Sequence, residues 1–437
     1  MNDNLIKIIE AHKSGKSIGI CSICSSNRYV LEAAIMQAKK DSTDLLIEST
    51  SNQVDQLGGY SGMTPRNFVA YVSGICEKTD FPFERVILGG DHLGPNVWRN
   101  QPAKQAMNLA KDQIKAYVEA GYTKIHLDTS MCCADDPGDE DSALKTEIIA
   151  ERTAELCHVS EQASNDNQNK PLYIIGTEVP MPGGAQEKLN ELMPTSVDDL
   201  KETIEITQKA FYAKNLHSAW ERVIGVVVQP GVEFDESDVI EYDRKKARHL
   251  SQFIEYHNHL VFEAHSTDYQ PREKLKEMVA DHFAILKVGP ALTFAFREAI
   301  FALAQMEQEY FAGRRQVTPS NVLTVIAKVM RENPKHWQQH YHGDEAELQF
   351  ARKYSFSDRI RYYWPNPKID HALKNLINNL KENPLPLSLL SQYLPNQYWA
   401  LRNGEIWNDS EDLIHHKIGE ILKHYAYATK PGDESSD

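Results

Sequence analysis

The chain has 437 residues, with 47 Lys and Arg against 62 Asp and Glu for a formal net charge of −15, six Cys, and 41% hydrophobic residues. That hydrophobic share supports a sizeable core, while the acidic balance, without a run of five Lys or Arg, argues against nucleic acid as a partner. No apolar stretch has the length of a membrane span. The start, Met1-Asn2-Asp3-Asn4, lacks the basic region and apolar run of an export signal. The cysteines, two of them adjacent at Cys132 and Cys133, read as reduced thiols, so a cytoplasmic location is expected.

Short β-rich stretches alternate with amphipathic ones over the first 310 or so residues, the pattern of parallel sheets built from βαβ units. Strands are predicted at 18–25, 44–50, 86–92, 124–130, 172–180, 223–230, 260–268 and 283–290. Helices are predicted between them, as at 102–120, where Ala106, Leu109, Ala110, Ile114, Tyr117 and Val118 recur at three- and four-residue steps and Gly121 ends the run. The stretches 198–213 and 271–279 read similarly, with Ser196 and Pro271 as start signals. Eight strand–helix pairs fit a (β/α)8 barrel or a doubly wound open sheet. The first strand is not followed by a glycine-rich dinucleotide loop, which favours the barrel. After residue 313 the predicted helices at 319–331, 370–379 and 412–425 follow without strands, so 1–313 is read as an α/β TIM barrel and 314–437 as a helical extension.

In a barrel the C-terminal ends of the strands meet at one mouth, and here those ends are polar. His92 and His265 each follow an apolar strand beside carboxylates, and Glu178 ends a third, a set suited to a divalent metal. The plainer alternative is that each histidine caps its strand. Asp91 precedes His92, and adjacent strand residues face opposite ways, so both act at the mouth only where the chain turns; Gly90 and Gly94 permit that. Asp91 and Glu178 are the candidate acid–base groups at a sugar carbon or hydroxyl. Asn52, Asp128, Ser130, Gln229, Ser266 and Asp268 are candidate substrate contacts. Ser266-Thr267 with Gly289 resembles a phosphate cup on loop N–H groups, with Lys287 adding charge. Arg359 and Arg361, among the aromatics of 355–365, can reach a phosphorylated ligand or a neighbouring copy of the chain. An ordinary contact between regions is the plainer reading. Cys21 and Cys24 have CxxC spacing without a second pair, so they are expected to pack in the first strand.

Several segments carry a family resemblance: Ile18-Gly-Ile-Cys-Ser-Ile-Cys-Ser25, Glu48-Ser-Thr-Ser-Asn-Gln-Val54, Gly89-Gly-Asp-His-Leu-Gly-Pro-Asn96, Ile175-Gly-Thr-Glu-Val-Pro180, Phe262-Glu-Ala-His-Ser-Thr-Asp268 and Leu286-Lys-Val-Gly-Pro-Ala-Leu-Thr293. Together with Ser357-Asp-Arg-Ile-Arg-Tyr-Tyr-Trp-Pro365 they resemble the non-catalytic Z subunits of tagatose-1,6-bisphosphate aldolase. That family is similar in turn to class II, zinc-dependent ketose-bisphosphate aldolases. The resemblance implies that Asp91-His92 supplies a catalytic Asp and a metal ligand, that His265 is a second ligand, and that Glu178 lies near the metal. It also implies zinc, a ketose phosphate ligand and a catalytic aldolase partner, in galactitol, N-acetylgalactosamine or tagatose catabolism. At the sixth strand, where the aldolases place a third histidine, this chain has Gln229-Pro230-Gly231. The resemblance therefore implies an accessory subunit, with 4-epimerisation of tagatose 6-phosphate as the alternative. Some members carry a kinase label, but no GxxxxGK[ST] loop occurs here.

Overall fold

The structure is a computed structural model and describes residues 2–137, 144–164, 170–176, 192–313 and 317–430. Eight parallel strands close into a barrel: β1 (Ile20–Cys24), β2 (Leu45–Thr50), β3 (Val86–Leu93), β4 (Lys124–Leu127), β5 (Leu172–Gly176), β6 (Val223–Val227), β7 (Val261–Ala264) and β8 (Ile285–Val288). Each strand pairs with its sequence neighbours, and β1 closes on β8 with Ile20 opposite Ile285. The expected (β/α)8 architecture is therefore present. The fourth and seventh strands, predicted at 124–130 and 260–268, are shorter because their polar ends leave the ladder and turn into loops, whereas β3 runs one residue past its predicted end, to Leu93. Helices occupy the expected places, as at Ala103–Glu119, Val197–Ala213 and Arg272–Ala280. A short antiparallel pair after β6, Glu233–Phe234 with Val239–Ile240, has no counterpart in the sequence reading.

The barrel interior is layered. At the end where the strands begin, Ile20, Leu46, Ile87, Leu172, Ile224, Val261 and Ile285 form one apolar cluster, and Leu5 and Ile9 of the helix Asn2–Lys13 seal it. Further along, β3 leaves regular register between Gly90 and Leu93, and His92 takes a left-handed φ of 50°. The turn expected of the glycines is thus made by His92 itself. Gly94 matters for space instead, since a Cβ there would overlap the carbonyl oxygen of Asp128, and only glycine lets the β3 and β4 loops approach.

Among the described residues from 317 onward there are helices and no strand. The last helix, Ser410–Thr429, packs against the helices Arg28–Asp41, Arg272–Ala280 and Pro290–Phe311. The single turn Arg359–Tyr362 reaches the mouth and brings Arg361 and Tyr362 to the cavity there.

Candidate active site at the barrel mouth

Alternation along the strands sends every second side chain into the barrel. Glu48 of β2, Asp91 of β3, Lys124 of β4, Glu263 of β7 and Lys287 of β8 meet there and are buried. Lys124 Nζ lies 2.5 Å from Glu48 Oε1 and 2.6 Å from Glu263 Oε2. Lys287 Nζ lies 2.8 Å from Glu48 Oε2 and 3.4 Å from Glu263 Oε1, and pairs with Asp91 Oδ1. Burial works against ionisation of Asp91, but His92 and Lys287 outweigh it and hold the carboxyl well below the usual range. Glu263 is held down in the same way by Lys124 and Lys287. Burial opposes the charge on Lys287 too, and its carboxylate partners raise it well above the ordinary value.

Three imidazoles stand over this layer. Ring centres of His92 and His265 are 4.8 Å apart, and each is 5.2 Å from that of His126. His92 Nδ1 sits 2.7 Å from Asp128 Oδ2, while Asp128 Oδ1 accepts the backbone N–H and the hydroxyl of Ser130. Burial disfavours the charged ring of His92, but Asp91 and Asp128 raise its pKa above the usual value. His126 Nδ1 is 3.0 Å from Asp91 Oδ1 and 3.2 Å from the backbone N of His92; the tautomer decides which contact is the hydrogen bond. His126 Nε2 is buried without a partner. His265 Nε2 lies 3.1 Å from Glu263 Oε1, and burial, helped by Lys287, lowers the pKa of His265 to about 3, leaving a neutral imidazole.

Asp91, His126, Glu263 and His265 each offer one ligand atom, all within 4.8 Å of one another. Two imidazole nitrogens and two carboxylate oxygens suit zinc or a similar divalent ion, and a buried nitrogen without a partner at His126 is what such an ion would satisfy. The residues present fit a metal. The grouping differs from the expected one: His126 and Glu263 join His265, while His92 is tied to Asp128. Glu178 lies outside the described residues. The signal for the two newcomers was the period of two, which puts Lys124, His126 and Asp128 on one face of their strand and Glu263 beside His265.

The mouth opens into a cavity of about 70 Å³ whose wall includes Asp91, His92, His265 and Lys287. Asn52, Ser266, Asp268 and Arg361 also line it. Asp128 and Ser130 stand behind His92 instead of in the wall. Gln229 folds back on its loop, where Oε1 accepts the N–H groups of Gly231 at 2.8 Å and Val232 at 3.1 Å. Arg359 is buried beyond the wall, with Nη2 2.8 Å from His340 Nδ1. Its neighbour Arg361 faces the cavity, hydrogen-bonded to Tyr362 Oη at 3.0 Å and to backbone carbonyls, and makes no ion pair among the described residues. The helix N-terminus expected to cup a phosphate is already engaged. Asp268 Oδ1 accepts the N–H groups of Gly289 at 3.0 Å and Ala291 at 2.8 Å, and burial raises its pKa to about 6. The positive group open to an anion is therefore Arg361 of the extension.

Residues 5–430 match the family described as D-tagatose-1,6-bisphosphate aldolase subunit GatZ/KbaZ-like. The chain belongs to this family. It is 44% identical to a protein from Sinorhizobium meliloti 1021 described as a probable tagatose 6 phosphate kinase, over 94% of this chain and 100% of that one, with a TM-score of 0.85. Two distant likenesses carry no argument about activity. One is the fructuronate-tagaturonate epimerase UxaE of Cohnella laeviribosi, with 12% identity over 94% of this chain and 82% of that one and a TM-score of 0.48. The other is the fructose-bisphosphate aldolase of Campylobacter jejuni, with 15% identity over 86% and 91% and a TM-score of 0.40. Membership of the GatZ/KbaZ-like family ties the chain to tagatose-bisphosphate aldolase. Among its described residues no helix is long and apolar enough to cross a membrane.

Proposed function

We propose that this GatZ/KbaZ-like chain is the component that a catalytic class II tagatose-1,6-bisphosphate aldolase subunit requires for activity and stability, in cytoplasmic galactitol, N-acetylgalactosamine and tagatose catabolism. The observation that carries this reading is the sixth strand end. Gln229 there is stapled to its own loop, so the position brings no ligand to the mouth, and the histidine that the resemblance to the aldolases would require at this strand is missing. The family match over residues 5–430 supports it.

In this reading the mouth holds a ketose phosphate. Arg361 binds the phosphate with a charge-assisted hydrogen bond. Asn52 and Ser266 stand in the wall for the sugar hydroxyls. Asp128, fixed by Ser130, orients His92. A divalent ion, with zinc the first candidate, would be held by Asp91, His126, Glu263 and His265 and would polarise a sugar oxygen. The extension, taken as 314–437, belongs to the site through Arg361.

Mixing the purified chain with a class II tagatose-bisphosphate aldolase subunit tests this. The aldolase alone should lose activity on incubation and melt lower, and adding the chain should restore both. If neither its activity nor its melting temperature responds, the accessory reading fails.

A second reading, a metal-dependent tagatose 6-phosphate 4-epimerase, is favoured by Asp91, His92 and His265 in the wall of one cavity, with the ring of His126 buried beside them. Purified, metal-analysed protein would then form fructose 6-phosphate from tagatose 6-phosphate. No turnover with zinc, manganese or magnesium rules this out, and turnover that survives both His92→Ala and His265→Ala places the chemistry elsewhere.

A further inference from the structure

The ammonium of Lys287 contacts Asp91 Oδ1 and lies 3.4 Å from Glu263 Oε1, and both carboxylates belong to the group that can hold a divalent ion. An ion bound there would stand within a few ångströms of that ammonium, where like charges repel strongly in a buried site. The charge balance points the same way. Three carboxylates against the two ammonium groups of Lys124 and Lys287 leave the cluster one negative charge. A divalent ion added with Lys287 in place would make the cluster positive; added with Lys287 withdrawn, it makes the cluster neutral. Lys287 lines the cavity, and its flexible four-carbon stem has that open space to turn into.

We propose that Lys287 is the resident cation of this site and that a divalent ion displaces it from Asp91 and Glu263, turning its ammonium into the cavity. There it joins Arg361 as a second positive group for an anionic ligand. The carboxylate layer is thereby held together with or without metal. The proposal rests on the metal-holding capacity of the four residues and is independent of which reaction the mouth serves.

Zinc affinity of the full chain, measured by competition with a chromogenic chelator, tests it against Lys287→Met. The variant should bind zinc more than about ten-fold tighter, because the competing charge is gone. Inorganic phosphate should bind more tightly to the wild-type chain once zinc is present, and zinc should give no such gain in the variant. Equal or weaker zinc affinity in Lys287→Met overturns the proposal, as does a phosphate affinity indifferent to zinc in the wild type. If the variant folds only with zinc, recovery of its thermal transition by the metal supports displacement. If it stays unfolded with zinc, the double variant Lys287→Met/Glu48→Gln, which restores the cluster's net charge, is judged by the same affinity criteria. Zinc bound by neither protein removes the metal site and the proposal together, whereas equal affinities remove only the competition.

Discussion

Along the barrel axis two neighbouring layers of the interior are filled by opposite chemistry. Near the strand starts, Leu46, Ile87, Ile224, Val261 and Ile285 make an apolar layer sealed by the helix Asn2–Lys13. Toward the strand ends, Glu48, Asp91, Lys124, Glu263 and Lys287 make an ionic one. The apolar layer is stable by exclusion of water, and each side chain contributes on its own account. The ionic layer is stable only as a complete set, because each member left without its partner is a desolvated charge. A layer of that kind is a costly way to fill a barrel, and its place directly beneath the histidines marks the end where chemistry or binding is done.

Removing one member of the ionic layer gives the largest expected effect. Lys124→Met leaves Glu48 and Glu263 sharing one ammonium and should lower stability by about 3–5 kcal/mol in urea unfolding. A loss as small as that of an apolar trim would show that the layer is not a coupled set.

The next effect lies at the mouth and depends on pH. Burial, reinforced by Asp268 and Asp235, raises the pKa of Glu233 from 4.5 to about 7 against the opposing hydrogen bonds of Phe234 N–H and Ser266. An acid whose folded pKa is raised binds its proton more tightly when folded. Its contribution is fully present below pH 4.5 and is lost as pH rises to about 7. The wild type should lose up to about 3 kcal/mol over that window, and Glu233→Gln should flatten the slope. An unchanged slope in the variant would assign the titration to another group.

The smallest effect belongs to the apolar layer. Ile224→Val removes one methylene and should cost about 0.5–1.5 kcal/mol, with no change in zinc or phosphate binding. A change in either affinity would mean that the two layers are less separate than their chemistry suggests.

Much of the fold was legible because hydrophobic periodicity and strand–helix alternation are local properties, and all eight strands lie where β-rich runs were read. Strand limits were not, since the polar strand ends look β-like but hydrogen-bond into loops, as Asp268 does with Gly289 and Ala291. Of the site, Asp91, His92, His265, Lys287, Asn52, Ser266 and Asp268 were singled out from their places at strand ends, and the structure gathers them around one cavity. Inspecting strand ends alone missed Glu48, Lys124 and Glu263, which sit one pleat deeper and show themselves only when alternation is followed inward, and also His126, which stands above them with His92 and His265. The choice between Arg359 and Arg361 was illegible. They lie two residues apart in one turn, and their different surroundings depend on how that turn docks on the mouth.

Calorimetric titration of tagatose 6-phosphate into the wild-type chain and into Arg361→Met tests most directly the claim that the mouth, completed by the extension, holds a ketose phosphate. The account predicts saturable binding by the wild type and an affinity at least about ten-fold weaker in the variant, with its thermal unfolding unchanged. Equal affinities, or no binding by the wild type, would contradict it.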